Sequence, residues 1–335
     1  MSNSNFIKRL QNLFEEKKIS KKYFDNLSDF YFSYKNATKE LISQDDLDSI
    51  FDTLIDLLFK EIASPFKFLP FHQKITHPFN YQKFSIDFLK PLVDLEKSKL
   101  YGLNNLEKIK KYIENKENVI LLANHQSEVD PMLIYIMLEE KYYDIAKDVI
   151  YVAGDRVTND FLAIPFSMGC NLLCIYSKRY IDIDLSLKHK KQIHNKKVMS
   201  LMSSLLSQGG KTIYVAPSGG RDRKNEKGII EVAPFDPQSL EMFYLMCKKS
   251  KNKSHFFPLA LSTYDILPPP EKIQIEMGEK REVNRGFIAL SFLEEIDMDN
   301  VPGSEDANKI NKRKNRAKYI HNIVKEEYAR ISKEK

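Results

Sequence analysis

The stretch "VILLANHQSEVDP", residues 119–131, begins with apolar residues and ends with polar ones ahead of a proline. A short, nearly continuous apolar run is typical of a strand that is covered on both faces of a sheet. Five later segments share this character, and helical patterns lie between most of them. The alternation predicts an α/β fold with a mixed, mostly parallel central sheet flanked by helices. The predicted strands are residues 119–124, 148–154, 170–177, 211–217, 255–262 and 273–279.

The chain before about residue 65 has a different pattern, because its apolar residues recur at helical spacing. This pattern predicts a smaller N-terminal helical bundle domain. Residues 64–78 contain three prolines and little periodicity, which indicates a linker. We therefore expect a helical bundle domain at residues 1–78 and an α/β domain at residues 79–335, the latter starting with a helix over 79–104.

Composition favours a globular protein, since 42% of the 335 residues are hydrophobic. The net charge of +6 comes from 52 basic and 46 acidic residues, which describes a mixed surface and not a nucleic-acid-binding tract. The three cysteines are too few for a disulfide framework, so we expect a reducing compartment. No apolar run approaches the roughly 18 residues that cross a bilayer. We expect a soluble protein of a bacterial cytoplasm, or of a plastid stroma if a transit peptide has been removed.

Helical patterns also lie at residues 131–140 and 189–207, between predicted strands. A helix rich in lysine and arginine is predicted from about residue 308 to the end of the chain. Its apolar face favours a docked, solvated surface helix over a lipid-binding role. His189 and His194 lie in a lysine-dense helix without acidic or cysteine ligands, so we expect no metal site there.

Polar motifs follow four of the predicted strands: "NHQSEVD", "GDRV", "SKRY" and "PSGGRDR". Ligands of open α/β folds bind at the carboxyl ends of strands. The four motifs are therefore expected to converge on one pocket.

His125 is the natural general base of that pocket, because an imidazole accepts protons near neutral pH. Asp130, across a tight turn, can accept a hydrogen bond from the other ring nitrogen and stabilise the imidazolium. The nucleophile is expected to come from the substrate, since no G-x-S-x-G motif is present. The alternative is that Asp130 is only an N-cap before Pro131 and that His125 is a polar strand end. Asp130 can fill both roles.

Arg221 and Arg223 alternate across Asp222 and can point two guanidinium groups in a similar direction. Such groups match phosphate oxygens. The alternative for these cations is a surface ion-pair network, and Arg156 has Asp155 as a neighbouring partner. Further candidates for the phosphate site are the charged residues after the third strand and the small residues before Arg221: Lys178, Arg179, Ser218, Gly219 and Gly220.

Eight motifs occur together in order: "NHQSEVDP", "GDRV", "CIYSKRY", "VAPSGGRDR", "APFDP", "FFPLAL", "DILPPP" and "EMGEKR". In these motifs, over roughly residues 80–300, the chain resembles the soluble, plastid-type glycerol-3-phosphate 1-O-acyltransferases. The resemblance implies that His125 and Asp130 are the catalytic pair. It implies that Arg221 and Arg223 bind phosphate. Plant members usually carry a Lys-Lys-His run where this chain has Lys178, Arg179 and Tyr180, so two charges are kept and a histidine is replaced.

The resemblance also implies substrates and partners. The acceptor would be glycerol 3-phosphate, and the donor acyl-ACP or acyl-CoA, with no metal or cofactor. The basic surface could dock an acyl carrier protein, and a peripheral membrane contact could assist product release. Two alternatives stay open: a lysophosphatidate acyltransferase, and a non-catalytic module that binds acyl carriers or lipids.

Overall fold

The computed structural model describes residues 4–177, 181, 184–270, 278–303, 305 and 308–333. Its first part is helical, with α1 (Asn5–Glu15), α2 (Lys21–Ala37) and α3 (Gln44–Ala63). Each of these helices follows a serine whose side chain accepts a backbone N–H of the first turn. The predicted helical region at the N terminus is confirmed.

Aromatic residues and one buried carboxylate hold these three helices together. Phe6 stacks on Tyr31 with ring centroids 4.9 Å apart, and Phe51 contacts both rings. Asp48 is buried among them and accepts hydrogen bonds from Tyr31 Oη at 2.6 Å and Ser4 Oγ at 2.9 Å. The same apolar cluster includes side chains from the helices that follow in the chain.

The strands of the remaining chain are β1 (Phe71–His72), β2 (Lys99–Tyr101), β3 (Asn118–Ala123), β4 (Ile150–Gly154), β5 (Asn171–Ile175), β6 (Thr212–Val215), β7 (Arg223–Lys224), β8 (Ile230–Glu231), β9 (Ser254–Ser262) and β10 (Ala289–Phe292). Eight of them form one sheet in the order β1-β5-β4-β6-β3-β9-β10-β2. The pairs β5–β4, β4–β6, β6–β3, β3–β9 and β10–β2 are parallel, whereas β1–β5 and β9–β10 are antiparallel. The mixed, mostly parallel sheet predicted from the sequence is confirmed.

Helices cover the sheet on both faces. The helices after α3 are α4 (Tyr81–Leu89), α5 (Leu103–Glu114), α6 (Asp130–Leu138), α7 (Tyr143–Ala146), α8 (Arg156–Asn159), α9 (Ile164–Ser167), α10 (Leu185–Gln208), α11 (Pro237–Lys249) and α12 (Lys309–Ile331). One apolar cluster joins the sheet to α10, α11 and α12, and another joins it to α5, α6 and α7. Among the described residues, no helix is both long and apolar enough to cross a membrane.

The predicted helix over residues 79–104 is wrong in its second half. α4 ends at Leu89, a single 3₁₀ turn follows over Lys90–Leu92, and β2 begins at Lys99. Pro91 has no backbone N–H to donate to the carbonyl four residues earlier, which interrupts the α-helical bonding there, and the Lys99 N–H donates to Ile288 O at 2.9 Å in the sheet.

The predicted strand at 273–279 lies mostly outside the described residues, and its last two members, Gly278 and Glu279, are not in a strand. The division of the chain at residue 78 into two domains stays a prediction. Met132 of α6 and Phe88 of α4 pack in the same apolar cluster as Phe6 and Phe51.

Candidate active site

His125 lies two residues beyond β3, whose six residues are all buried. β6 and β9 pair with β3 on its two sides, so the loops after β3 and β6 leave the same edge of the sheet. His125 Nδ1 lies 2.8 Å from Asp130 Oδ2, and the two side chains are 28% and 0% exposed. The imidazole can thus meet a ligand while its carboxylate partner stays out of water.

Four donors fix the Asp130 carboxylate. Besides the imidazole, the backbone N–H groups of Gln126 and Ser127 donate to it at 2.9 and 3.2 Å. The Thr263 hydroxyl, just after β9, donates to Oδ1 at 2.7 Å. Asp130 is the first residue of α6, but the N-cap is Val129, and the two backbone N–H groups that donate to Asp130 precede the helix. With Nδ1 as the donor to Asp130, Nε2 is left to accept a proton.

Asp222 is a second buried carboxylate close to His125. It accepts from Asn124 Nδ2 at 2.8 Å, from Gln126 Nε2 at 3.2 Å and from the Ala233 N–H at 2.9 Å. Burial raises the pKa of the Asp222 carboxyl to about 6, although these three hydrogen bonds and the nearby His125 act to lower it. An ionised carboxylate at this buried position therefore lowers the stability of the folded protein.

Three of the predicted cations, Arg156, Arg221 and Arg223, line the same cavity as His125. Arg221 Nη2 donates to both carboxylate oxygens of Glu279, at 2.9 and 2.7 Å, and Arg156 Nη2 lies 2.9 Å from Oε1. Arg223 Nη1 donates to Arg221 O at 3.2 Å. Arg156 and Arg221 do form ion pairs, as the alternative expected, but with Glu279 in the wall of the cavity.

The glycine loop before Arg221 contributes to the same wall. Ser218 Oγ donates to Gly220 O at 2.9 Å, and both residues line the cavity. Gly219 has φ +64°, in the left-handed region where glycine is unstrained, and no atom lies within 4 Å of where a Cβ would stand. Lys178, Arg179 and Tyr180 lie outside the described residues.

Several residues of this site were not predicted from the sequence. Glu279 is one, and Arg281, 4% exposed, is another, with Nε 2.5 Å from Glu128 Oε1 and Nη2 3.1 Å from Asp160 Oδ1. Burial acts to lower the pKa of Arg281, but the nearby carboxylates of Glu128 and Asp160 outweigh it, so the pKa lies above its usual value. The motif "EMGEKR", which contains both residues, was the available signal for Glu279 and Arg281.

The cavity itself has a volume of about 830 Å³, within the range of small-molecule sites. Apolar side chains from helices and sheet line it together with His125 and the arginines. They include Phe30, Phe88, Met132, Phe166, Met199 and Phe243. A ligand with both an anionic group and a long apolar chain would fit such a lining.

The class of protein is that of the acyltransferases. A protein-family model described as Acyltransferase matches residues 99–262, from β2 to the end of β9, and this range contains His125, Asp130, Arg221 and Arg223. Proteins of similar sequence indicate which kind of acyltransferase the chain resembles. The chain is 33% identical to a chloroplastic glycerol-3-phosphate acyltransferase of Carthamus tinctorius over 308 aligned residues. The alignment covers 90% of this chain. Chloroplastic proteins of the same name from Arabidopsis thaliana and Spinacia oleracea are 35% and 38% identical and cover 82% and 74% of this chain.

The chain belongs to the plastid-type glycerol-3-phosphate acyltransferase family. It spans 66%, 61% and 53% of the lengths of these three relatives.

Proposed function

We propose that the protein transfers a fatty acyl group from an acyl-ACP or acyl-CoA thioester to the sn-1 hydroxyl of glycerol 3-phosphate. The product is 1-acyl-glycerol 3-phosphate. One observation carries the proposal: the His125–Asp130 pair, the arginines and a set of apolar side chains line a single cavity. The acceptor is proposed from the names of the relatives, which are glycerol-3-phosphate acyltransferases.

His125 acts as the general base. Its Nδ1 donates to Asp130, so Nε2 takes the proton of the sn-1 hydroxyl as that oxygen attacks the thioester carbonyl. The tetrahedral intermediate collapses, the C–S bond breaks, and the thiolate receives the proton from the imidazolium. Asp130 stabilises the imidazolium between these steps. No covalent acyl-enzyme forms, because the attacking oxygen belongs to the acceptor.

The arginines bind the phosphate. The guanidinium groups of Arg221 and Arg156 meet at the Glu279 carboxylate in the wall of the cavity, and guanidinium groups match phosphate oxygens. Arg223 is the next cation along the same wall, and Lys178 and Arg179 would add two charges. A phosphate held here fixes the sn-1 oxygen near the imidazole, which converts the reaction into an effectively intramolecular one.

The apolar lining takes the acyl chain. Each buried methylene contributes roughly 0.8 kcal/mol, so a fatty chain gains most of its affinity from contact with such side chains. The lysines of α10, whose Asn195 and Met199 line the cavity, offer a positive approach for an acidic carrier protein. The proposed compartment is a bacterial cytoplasm or a plastid stroma, where both substrates would be present. A peripheral contact of the protein with a membrane would let the product pass into the lipid.

Thiol release with acyl-ACP and with acyl-CoA, each with and without glycerol 3-phosphate, tests the function. We expect release that depends on the acceptor, with 1-acyl-glycerol 3-phosphate identified by mass spectrometry. Faster release with lysophosphatidate would instead indicate a lysophosphatidate acyltransferase. Binding of either thioester without acceptor-dependent release would refute the enzyme and favour a binding module.

A further inference from the structure

Asp222 stands between Arg221 and Arg223 in the chain, yet its side chain faces away from solvent and is 0% exposed. Its carboxylate accepts from Asn124 and Gln126, the two residues on either side of His125. Its backbone N–H donates to the carbonyl oxygen of His125 at 2.6 Å. We call the loop after β3 that carries His125 the base loop, and the loop after β6 that carries Arg221 the arginine loop. One residue of the arginine loop thus contacts three consecutive residues of the base loop.

The base loop is in turn attached to the end of β9. Asn124 accepts from the Leu261 N–H at 2.7 Å and donates to Leu261 O at 3.0 Å. Gln126 Oε1 accepts from the Thr263 N–H at 2.7 Å. Neither amide can rotate to another partner without losing these bonds, so the donors that face Asp222 are fixed in place.

We propose that Asp222 is the positioning residue that sets the distance between the general base and the phosphate-binding arginines. The inference rests on the proposed function, because both ends of that distance take their roles from it. Asp222 touches no reacting atom. It holds the loop of Arg221 and Arg223 against the loop of His125, so that an acceptor anchored by its phosphate presents the sn-1 oxygen to the imidazole. The raised pKa of Asp222 agrees with a carboxylate kept there for geometry and not for stability.

Asp222→Asn tests the link, since it keeps the size of the side chain but turns an NH₂ group toward fixed donors. We expect kcat for glycerol 3-phosphate to fall by about 10²-fold, the loss typical of a misplacement of about 1 Å. The Kd of glycerol 3-phosphate, measured by calorimetry without acyl donor, should change by less than about threefold, because the arginines remain. Acceptor-free hydrolysis of the thioester needs His125 but no phosphate contact, and it should also change by less than about threefold.

Asp48→Asn is the matched control, a buried aspartate of α3 with its own set of hydrogen-bond donors. It should leave kcat, Kd and hydrolysis unchanged. If Asp222→Asn does not fold, as judged by circular dichroism, Asp222→Glu is measured in the same way.

Three results overturn the inference while leaving the proposed function intact. These are an unchanged kcat in the folded variant, a Kd that rises as much as kcat falls, and hydrolysis that falls together with transfer. The second would mean that Asp222 builds the phosphate site itself, and the third that it acts on His125 alone. Absence of acceptor-dependent turnover in the parent protein refutes the proposed function instead.

Discussion

Replacement of Asp222 by asparagine should change how the stability of the fold depends on pH. Burial raises the pKa of Asp222 from 3.8 to about 6. The folded protein therefore binds a proton at Asp222 more tightly than the unfolded chain does. The contribution of Asp222 to stability is largest at low pH and is lost as the pH rises from about 4 to about 6. Full ionisation costs about 3 kcal/mol, because roughly two pK units at about 1.4 kcal/mol each separate the folded and unfolded carboxyl groups.

Between about pH 5 and about pH 7.5, ionisation of Asp222 lowers the free energy of unfolding of the parent protein by roughly 1.4 kcal/mol. The reason is that the folded carboxyl is mostly protonated at the lower pH and ionised at the higher. An asparagine carries no such cost. Its mismatched hydrogen bonds to Asn124 and Gln126 are equally unfavourable at both pH values, so they cancel in the comparison. The free energy of unfolding of the parent minus that of Asp222→Asn should thus be about 1.4 kcal/mol larger at about pH 5.

Urea unfolding followed by circular dichroism at the two pH values measures this difference. Asp48→Asn serves again as the control. Burial acts to raise the pKa of Asp48, but hydrogen bonds from Tyr31 and Ser4 hold it below its usual value, so its contribution is lost only at lower pH. The parent-minus-Asp48→Asn difference should be the same at both pH values. An equally flat difference for Asp222→Asn would refute the burial argument.

Four further outcomes are expected. His125→Ala should lower kcat by about 10²- to 10⁴-fold while the Kd of glycerol 3-phosphate stays the same, and retained turnover would contradict the role of base. Arg221→Ala should raise the KM for glycerol 3-phosphate by an amount equivalent to about 2 to 5 kcal/mol, and an unchanged KM would remove Arg221 from the phosphate site. Thr263→Val removes a hydrogen bond to Asp130 and should lower kcat by about tenfold without changing KM, as steady-state kinetics would show. Rates with acyl-ACP should fall steeply as salt rises, and salt-independent rates would argue against electrostatic docking.

The sequence predicted the long central strands because both of their faces are buried, which leaves a continuous apolar run such as that of β3. It missed β1, β2, β7, β8 and β10, of which the first four have only two or three residues, too few to show a period. The contact between His125 and Asp130 spans five residues and could be inferred from local turn geometry. The contacts of Arg221 with Glu279 and of Thr263 with Asp130 span 58 and 133 residues, so only the folded chain shows them.

The two-residue strand β1 has a consequence for any shortened form of this protein. It pairs antiparallel with β5 and closes one edge of the eight-stranded sheet. A fragment that starts at about residue 79 would leave the backbone groups of β5 without this cover and would uncover Phe88 and Met132. An open strand edge beside freshly bared apolar side chains invites neighbouring molecules to add strands of their own. Expression of that fragment alone should therefore give aggregates and no smaller folded protein.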